Sequence, residues 1–195
     1  MAYNIYIVGL GGQGVLTVGE LISQAMEMKG QSVNFFPTKG MSQRGGFVQV
    51  QIRLGDDAGP ALAPQSADLI ISLERSEALK AKKYANKNTD WLFFDDCWYT
   101  SEVTMNRIKY PERDLIVNEL KDSCGNFMVI DNSALQLPSG KIARSNIFIV
   151  GLLIGHTKLG EIITAEDIIA LLKEKWPKAI EANTEFINAG INYNL

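Results

Sequence analysis

Asn4-Ile5-Tyr6-Ile7-Val8-Gly9-Leu10-Gly11-Gly12-Gln13-Gly14-Val15 lies near the start of the chain and decides its class. From Tyr3 to Leu10 the residues are uncharged and mostly β-branched or aromatic, and glycines end the run abruptly. This is the pattern of a strand buried on both faces of a sheet. Past Val15, the apolar residues Leu16, Leu21, Ile22, Ala25 and Met26 recur at helical spacing, and Gly30 stands where a helix C-cap belongs. Between strand and helix, Gly9, Gly11 and Gly14 fit the spacing G-x-G-x-x-G, in which a tight turn lets backbone N–H groups at the helix start face an anion. The same spacing also serves plain close packing of strand on helix, and the stretch alone leaves both readings open.

A dinucleotide reader carries Asp or Glu about 20 residues further on, at the end of the second strand. Here that strand is Ser32–Phe36, and Pro37-Thr38-Lys39 follows with no carboxylate. Lys39 suits an adenosine phosphate instead. The loop that continues, Gly40-Met41-Ser42-Gln43-Arg44-Gly45-Gly46, is polar, glycine-rich and without helical period, and the carboxyl end of a strand is where an α/β sheet places ligand contacts. Arg44 has a planar fork that can hold a phosphate or carboxylate by two parallel hydrogen bonds, which Lys39 can do only as a point charge. The plainer alternative is a solvated arginine on a surface loop.

Phe47–Leu54 alternates strictly, with Val48, Val50, Ile52 and Leu54 on one side and Phe47, Gln49, Gln51 and Arg53 on the other. The loop before it is too short for a crossover helix, so it pairs antiparallel with the second strand. Its polar side is either plain surface or a seam for another subunit. Ala67–Leu73, Trp91–Phe94 and Phe127–Ile130 read as further core strands, and Ser76–Tyr84 and Pro111–Asp122 as helical. Asp95-Asp96 is read as turn capping rather than metal binding, because the single histidine, His156, is remote and no second carboxylate cluster has ligand spacing. Ile147–Gly155 is a helix apolar all round, which requires cover all round, with Gly151 and Gly155 allowing close approach. His156 near its end reads as a hydrogen-bonded structural residue. Thr164–Asp167 resembles a capping box opening a helix that runs through Lys175, and Pro177 opens a last helix carrying Ile180, Phe186 and Ile187. The expected fold is α/β: a single Rossmann-like three-layer domain over residues 1–195, with a mostly parallel sheet, an antiparallel pair after strand two and a helical C-terminal region.

The 195 residues suit one domain, which buries about 70% of its unfolded surface. Nineteen basic against 22 acidic residues, with no long basic run, argue against nucleic acid and anionic membrane as partners. Cys97 and Cys124 form no C-x-x-C, which excludes a cluster-ligand set of the usual spacing and leaves two free thiols. No basic segment precedes the first apolar run, and Ile147–Gly155 falls far short of the roughly 20 residues that cross a bilayer, so a cytoplasmic location is expected.

Gly9-Leu10-Gly11-Gly12-Gln13-Gly14-Val15, Gly40-Met41-Ser42-Gln43-Arg44-Gly45-Gly46 and Ala67-Asp68-Leu69-Ile70-Ile71, taken together, resemble the gamma domain of the 2-oxoacid:ferredoxin oxidoreductases. The second motif is most similar to the small, beta-type subunits of the indolepyruvate branch. Asn146 ahead of the apolar helix, and the closing stretch from Asn183 to Gly190, extend the likeness over nearly the whole chain. The resemblance implies a subunit of a complex that converts indolepyruvate or another aryl 2-oxoacid, with coenzyme A, into acyl-coenzyme A and carbon dioxide while reducing ferredoxin. It further implies that thiamine diphosphate, magnesium and 4Fe-4S clusters belong to a large alpha subunit. Gly9, Gly11, Gly12, Gln13, Gly14, Lys39, Ser42, Gln43, Arg44, Gly45 and Asn146 would then contact coenzyme A or close the partner's active site over it. The remaining alternatives are a gamma subunit serving pyruvate, 2-oxoglutarate or ketoisovalerate, and a free-standing NAD(P)-dependent dehydrogenase.

Overall fold

The structure, a computed structural model, describes residues 3–40, 45–55, 59, 61–99, 101–105, 107 and 109–195, with the backbone alone for residues 39, 101 and 102. Ser42, Gln43 and Arg44 therefore lie outside the described residues, as does the side chain of Lys39. Six strands form one sheet in the order β2-β3-β1-β4-β5-β6: β1 Tyr3–Leu10, β2 Val33–Lys39, β3 Phe47–Leu54, β4 Leu69–Ser72, β5 Asp90–Asp95 and β6 Asn126–Asp131. Five run in one direction. The antiparallel pair expected after strand two is present between β2 and β3, and β3 is antiparallel to β1 as well, so it is wedged between the first two strands.

Alternation along each strand sorts side chains into two cores. Ile5, Ile7, Val50, Ile52, Leu69, Ile71, Leu92 and Phe94 pack under four helices: α1 Val15–Met28 and, from the C-terminal region, α5 Ser145–His156, α6 Ala165–Lys175 and α7 Ile180–Ile191. Tyr6, Val8, Ile70, Trp91 and Phe93 face the other way, against α2 Ala78–Ala81 and α4 Arg113–Leu120. The remaining helix, α3 Ser101–Thr104, is a single turn in the excursion between β5 and α4. With helices on both faces, strands buried on both sides need an uninterrupted apolar sequence, as β1 has from Ile5 to Leu10.

Two terminators behave as their sequences require. Gly30 takes φ +72°, its N–H reaching Glu27 O and that of Gln31 reaching Met26 O, a Schellman close to α1. At α6 the Thr164 side chain accepts from the Asp167 N–H while the Asp167 carboxylate accepts from the Thr164 N–H. Thr164→Ala is expected to cost about 1 kcal/mol, read as a lower urea midpoint at constant slope.

The polar side of β3, which alternation alone leaves as plain surface or a seam for another subunit, is partly covered from within the chain: Gln51 is only 5% exposed and accepts from the Leu62 N–H at 2.6 Å, Tyr6 donates its hydroxyl to Gln49, and Arg53 donates to the carbonyls of Gly59 and Ala61. The segment following β3 folds back over it. At the sheet's outer edge, Gly40 and Gly55 donate to Phe47 and Ser32, so the even-numbered residues of β2 face β3 and Pro37 points its missing N–H outward. An edge lacking that donor is a poor template for further strands.

His156, expected to be hydrogen-bonded, has a buried Nε2 with no partner among the described residues. Among those residues no helix is long and apolar enough to cross a membrane.

Candidate functional site

The chain leaves β1 through α1 toward β2 and leaves β4 through α2 toward β5, on opposite faces and in opposite directions along the sheet. The carboxyl ends of β1 and β4 therefore mark the switch point where α/β sheets open a crevice for ligands. The glycine turn sits there. Gly11 exchanges hydrogen bonds with the second glycine loop, its N–H donating to Gly46 O at 2.8 Å and its carbonyl accepting from Gly45 N–H at 3.1 Å. Gly14 caps α1 at φ +82°, and a Cβ there would lie 2.6 Å from Asn146 Nδ2 at the start of α5. The turn thus brings Gly9, Gly11, Gly12, Gln13, Gly14, Gly45 and Asn146 into one place, as the sequence motifs suggest. Among the described residues no side chain caps the N–H groups of the first turn of α1.

Gln13 points inward. It is 8% exposed, accepts from the Leu10 N–H at 2.8 Å through Oε1, and donates from Nε2 to Leu73 O at 2.8 Å and Asp96 Oδ2 at 3.1 Å. One amide thereby stitches the ends of β1, β4 and β5 together at the switch point. Both its donors are used, so its part in the site is to fix the turn.

Asp96 and its surroundings were not singled out as site residues from the sequence. Its Oδ2 also accepts from Trp98 Nε1 at 2.6 Å, and its Oδ1 from Cys97 N–H and Asn132 Nδ2, each at 3.0 Å. Trp98 lies against the turn: a Cβ on Gly12, whose φ is +109°, would be 3.2 Å from its Cζ3 and Cη2. Asp95 does a different task from its neighbour, binding Arg75 through two hydrogen bonds of 2.6 and 3.1 Å and Arg113 at 3.0 Å. The turn-capping reading of Asp95-Asp96 captures only the Cys97 contact. Fully buried Glu74 accepts from Ser76 Oγ, the Glu77 N–H and the Tyr110 hydroxyl, closing the far end of the excursion that begins at Cys97. The signal that could have found these residues is positional: each acid ends a parallel strand or lies within two residues of its carboxyl end.

Burial, then the bond to Glu74, raises the Tyr110 hydroxyl far above its ordinary range, and the hydrogen bonds that Arg75 donates to Asp95 raise the guanidinium. Burial also raises the Cys97 thiol and pushes Cys124 up to about 11. Because folding raises these pKa values, their contribution to stability is full below the unfolded thiol value and lost as pH rises through the folded one. Iodoacetamide at pH 8 is expected to label half-buried Cys97 slowly and Cys124 only after unfolding, which peptide mass spectrometry of partly labelled protein checks.

Among the described residues no group of three or more His, Cys, Asp or Glu is placed to hold a metal ion. Nor do the side chains at the turn pair a nucleophile with a base. The arrangement can position a ligand or a partner.

The family model described as pyruvate ferredoxin/flavodoxin oxidoreductase matches residues 4–193. The indolepyruvate oxidoreductase subunit IorB of Archaeoglobus fulgidus is 34% identical over 193 residues, covering 98% of this chain and 95% of that one. Among solved structures, pyruvate oxidoreductase subunit PORC of Thermotoga maritima superposes with a TM-score of 0.68 at 16% identity, covering 97% of this chain and 95% of the other. The 2-oxoglutarate:ferredoxin oxidoreductase of Magnetococcus marinus, with 2-oxoglutarate, coenzyme A and succinyl-CoA bound, gives 0.65 at 18% identity and covers 97% of this chain, which corresponds to 30% of that longer one. With the match running from the first strand to the end of α7, the chain belongs to the pyruvate ferredoxin/flavodoxin oxidoreductase family, as one of its small subunits.

Proposed function

We propose that this chain is the cofactor-free subunit of an indolepyruvate-type oxidoreductase, which with its partner converts an aryl 2-oxoacid and coenzyme A to acyl-coenzyme A and carbon dioxide and passes the electrons to ferredoxin. The observation that carries the reading is the near end-to-end identity to an indolepyruvate oxidoreductase subunit of matching length. The site is consistent with it: among the described residues no group of three or more His, Cys, Asp or Glu is placed to hold a metal ion, and in this reading thiamine diphosphate, magnesium and the iron–sulfur clusters sit in a large partner subunit. Thiamine diphosphate supplies the decarboxylation chemistry there.

What this chain contributes is position. The first turn of α1, without a side-chain cap among the described residues, lies together with Asn146 and the Gly45–Gly46 strip, and the sequence of the second glycine loop supplies the cations Lys39 and Arg44. Coenzyme A carries phosphates that such a grouping can hold, and holding the thiol carrier in place accelerates acyl transfer through orientation rather than proton transfer. The family members named for pyruvate and 2-oxoglutarate share the fold, and the 34% relative favours the aryl branch over them. A free-standing dehydrogenase is disfavoured by the sequence after the second strand, where Pro37-Thr38-Lys39 stand in place of the acid that holds a ribose.

In the reconstituted complex, Arg44→Ala is expected to raise the KM for coenzyme A about tenfold or more, the scale of a lost charge-assisted hydrogen bond. Carbon dioxide release in a single turnover before coenzyme A is added should not change. An unaltered KM for coenzyme A removes the reading.

A further inference from the structure

We propose that Trp98 is a specificity-determining residue of this site, its indole forming the platform on which the adenine of coenzyme A rests. The inference rests on the coenzyme A reading above and assigns it a residue outside both glycine motifs. Three observations support it. The indole is fixed at two points, its N–H on Asp96 Oδ2 at 2.6 Å and its benzo edge against Gly12, yet the residue remains 39% exposed beside a turn whose other side chains are buried. Asp96 is itself held by Gln13, Asn132 and the Cys97 N–H, so the ring's anchor is part of the polar network that fixes the turn. Finally, the next residue in the chain, Tyr99, is exposed as well and stands edge-to-face with Tyr110 at 5.0 Å, Tyr110 being anchored to buried Glu74.

A tryptophan whose task is to fill space would be buried. One left open with its N–H satisfied offers a flat apolar surface whose ordering cost is already met, so a planar base gains most of the stacking energy on contact. A neutral heteroaromatic ring suits this surface better than a phosphate, because the Asp96 carboxylate stands at the edge of the indole. Adenine is the part of coenzyme A with that character.

The test uses the assembled complex and two probes: adenosine 3′,5′-bisphosphate, which is the nucleotide end of coenzyme A alone, and pantetheine, which is the thiol end alone. Trp98→Ala is expected to weaken bisphosphate binding in equilibrium dialysis about tenfold, the scale of one base–aromatic stack. It should raise the KM for coenzyme A in parallel and leave the KM for pantetheine unchanged. Trp98→Phe, which keeps a ring, should retain binding within about threefold. Unchanged bisphosphate binding in Trp98→Ala, with Arg44→Ala still impairing coenzyme A, overturns this proposal and leaves the coenzyme A reading standing. If Arg44→Ala has no effect and the complex binds no bisphosphate, the reading fails and the platform with it. An equal loss for both probes, or failure of Trp98→Ala to assemble with its partner, makes the ring a packing or subunit contact and also overturns it.

Discussion

Gly151→Val is expected to destroy the fold of the C-terminal layer, with a loss of about 4 kcal/mol or more in urea denaturation and little soluble protein at 37 °C. Helices α5 and α7 touch through their backbones. A Cβ on Gly151 would lie 2.2 Å from Ile187 O, and one on the facing Gly190 would lie 2.2 Å from Phe148 O. These are main-chain atoms of hydrogen-bonded helices, so no rotamer change relieves the overlap and the helices must separate. Separation opens gaps along Phe148, Leu152, Phe186 and Ile187, all buried in the larger core, and overpacking at one point then becomes a cavity elsewhere. Even Gly151→Ala should cost about 3 kcal/mol, at the upper end of overpacking penalties. An alanine variant within about 0.5 kcal/mol of wild type would show that the two helices do not pack this closely.

Asp95→Ala should cost about 3 kcal/mol and loosen the excursion that carries Trp98. The carboxylate is 5% exposed and its bidentate partner Arg75 17%, so removing the acid strands a largely desolvated guanidinium. Arg75 in turn lies over the Tyr110 ring at 5.7 Å and donates to Pro111 O, so its release frees the far end of the excursion. Asp95→Leu combined with Arg75→Met should recover most of the stability, since a buried pair replaced by apolar residues of similar size is close to neutral, whereas breaking the pair is not. A cost below about 1 kcal/mol for Asp95→Ala, measured by urea titration, would mean that the pair behaves as a surface ion pair.

The elements were legible because they are written in local periods. Period two marked Phe47–Leu54 to the residue, helical spacing and a closing glycine marked α1, and the Thr164–Asp167 reciprocity marked α6. The site was half legible. Gly14 beside Asn146 followed from motifs, but the inward turn of Gln13 did not, because its partners Leu73 and Asp96 lie 60 and 83 residues away. The cover over Gln51 was missed for a related reason: a polar residue on an alternating strand reads as exposed unless the segment folding over it is known.

The sequence by itself determined the strands and main helices, the antiparallel return of β3 from β2, the glycine turn at a helix start and the family, since each depends on neighbours a few residues apart or on short motifs. Only the tertiary structure decided that β3 also pairs with β1, that Gln13 ties three strand ends together at the switch point, and that Asp96 holds Trp98 over the turn. Those outcomes depend on which strand ends meet, and contacts between distant residues are settled by packing the whole sheet rather than by the preference of any one stretch.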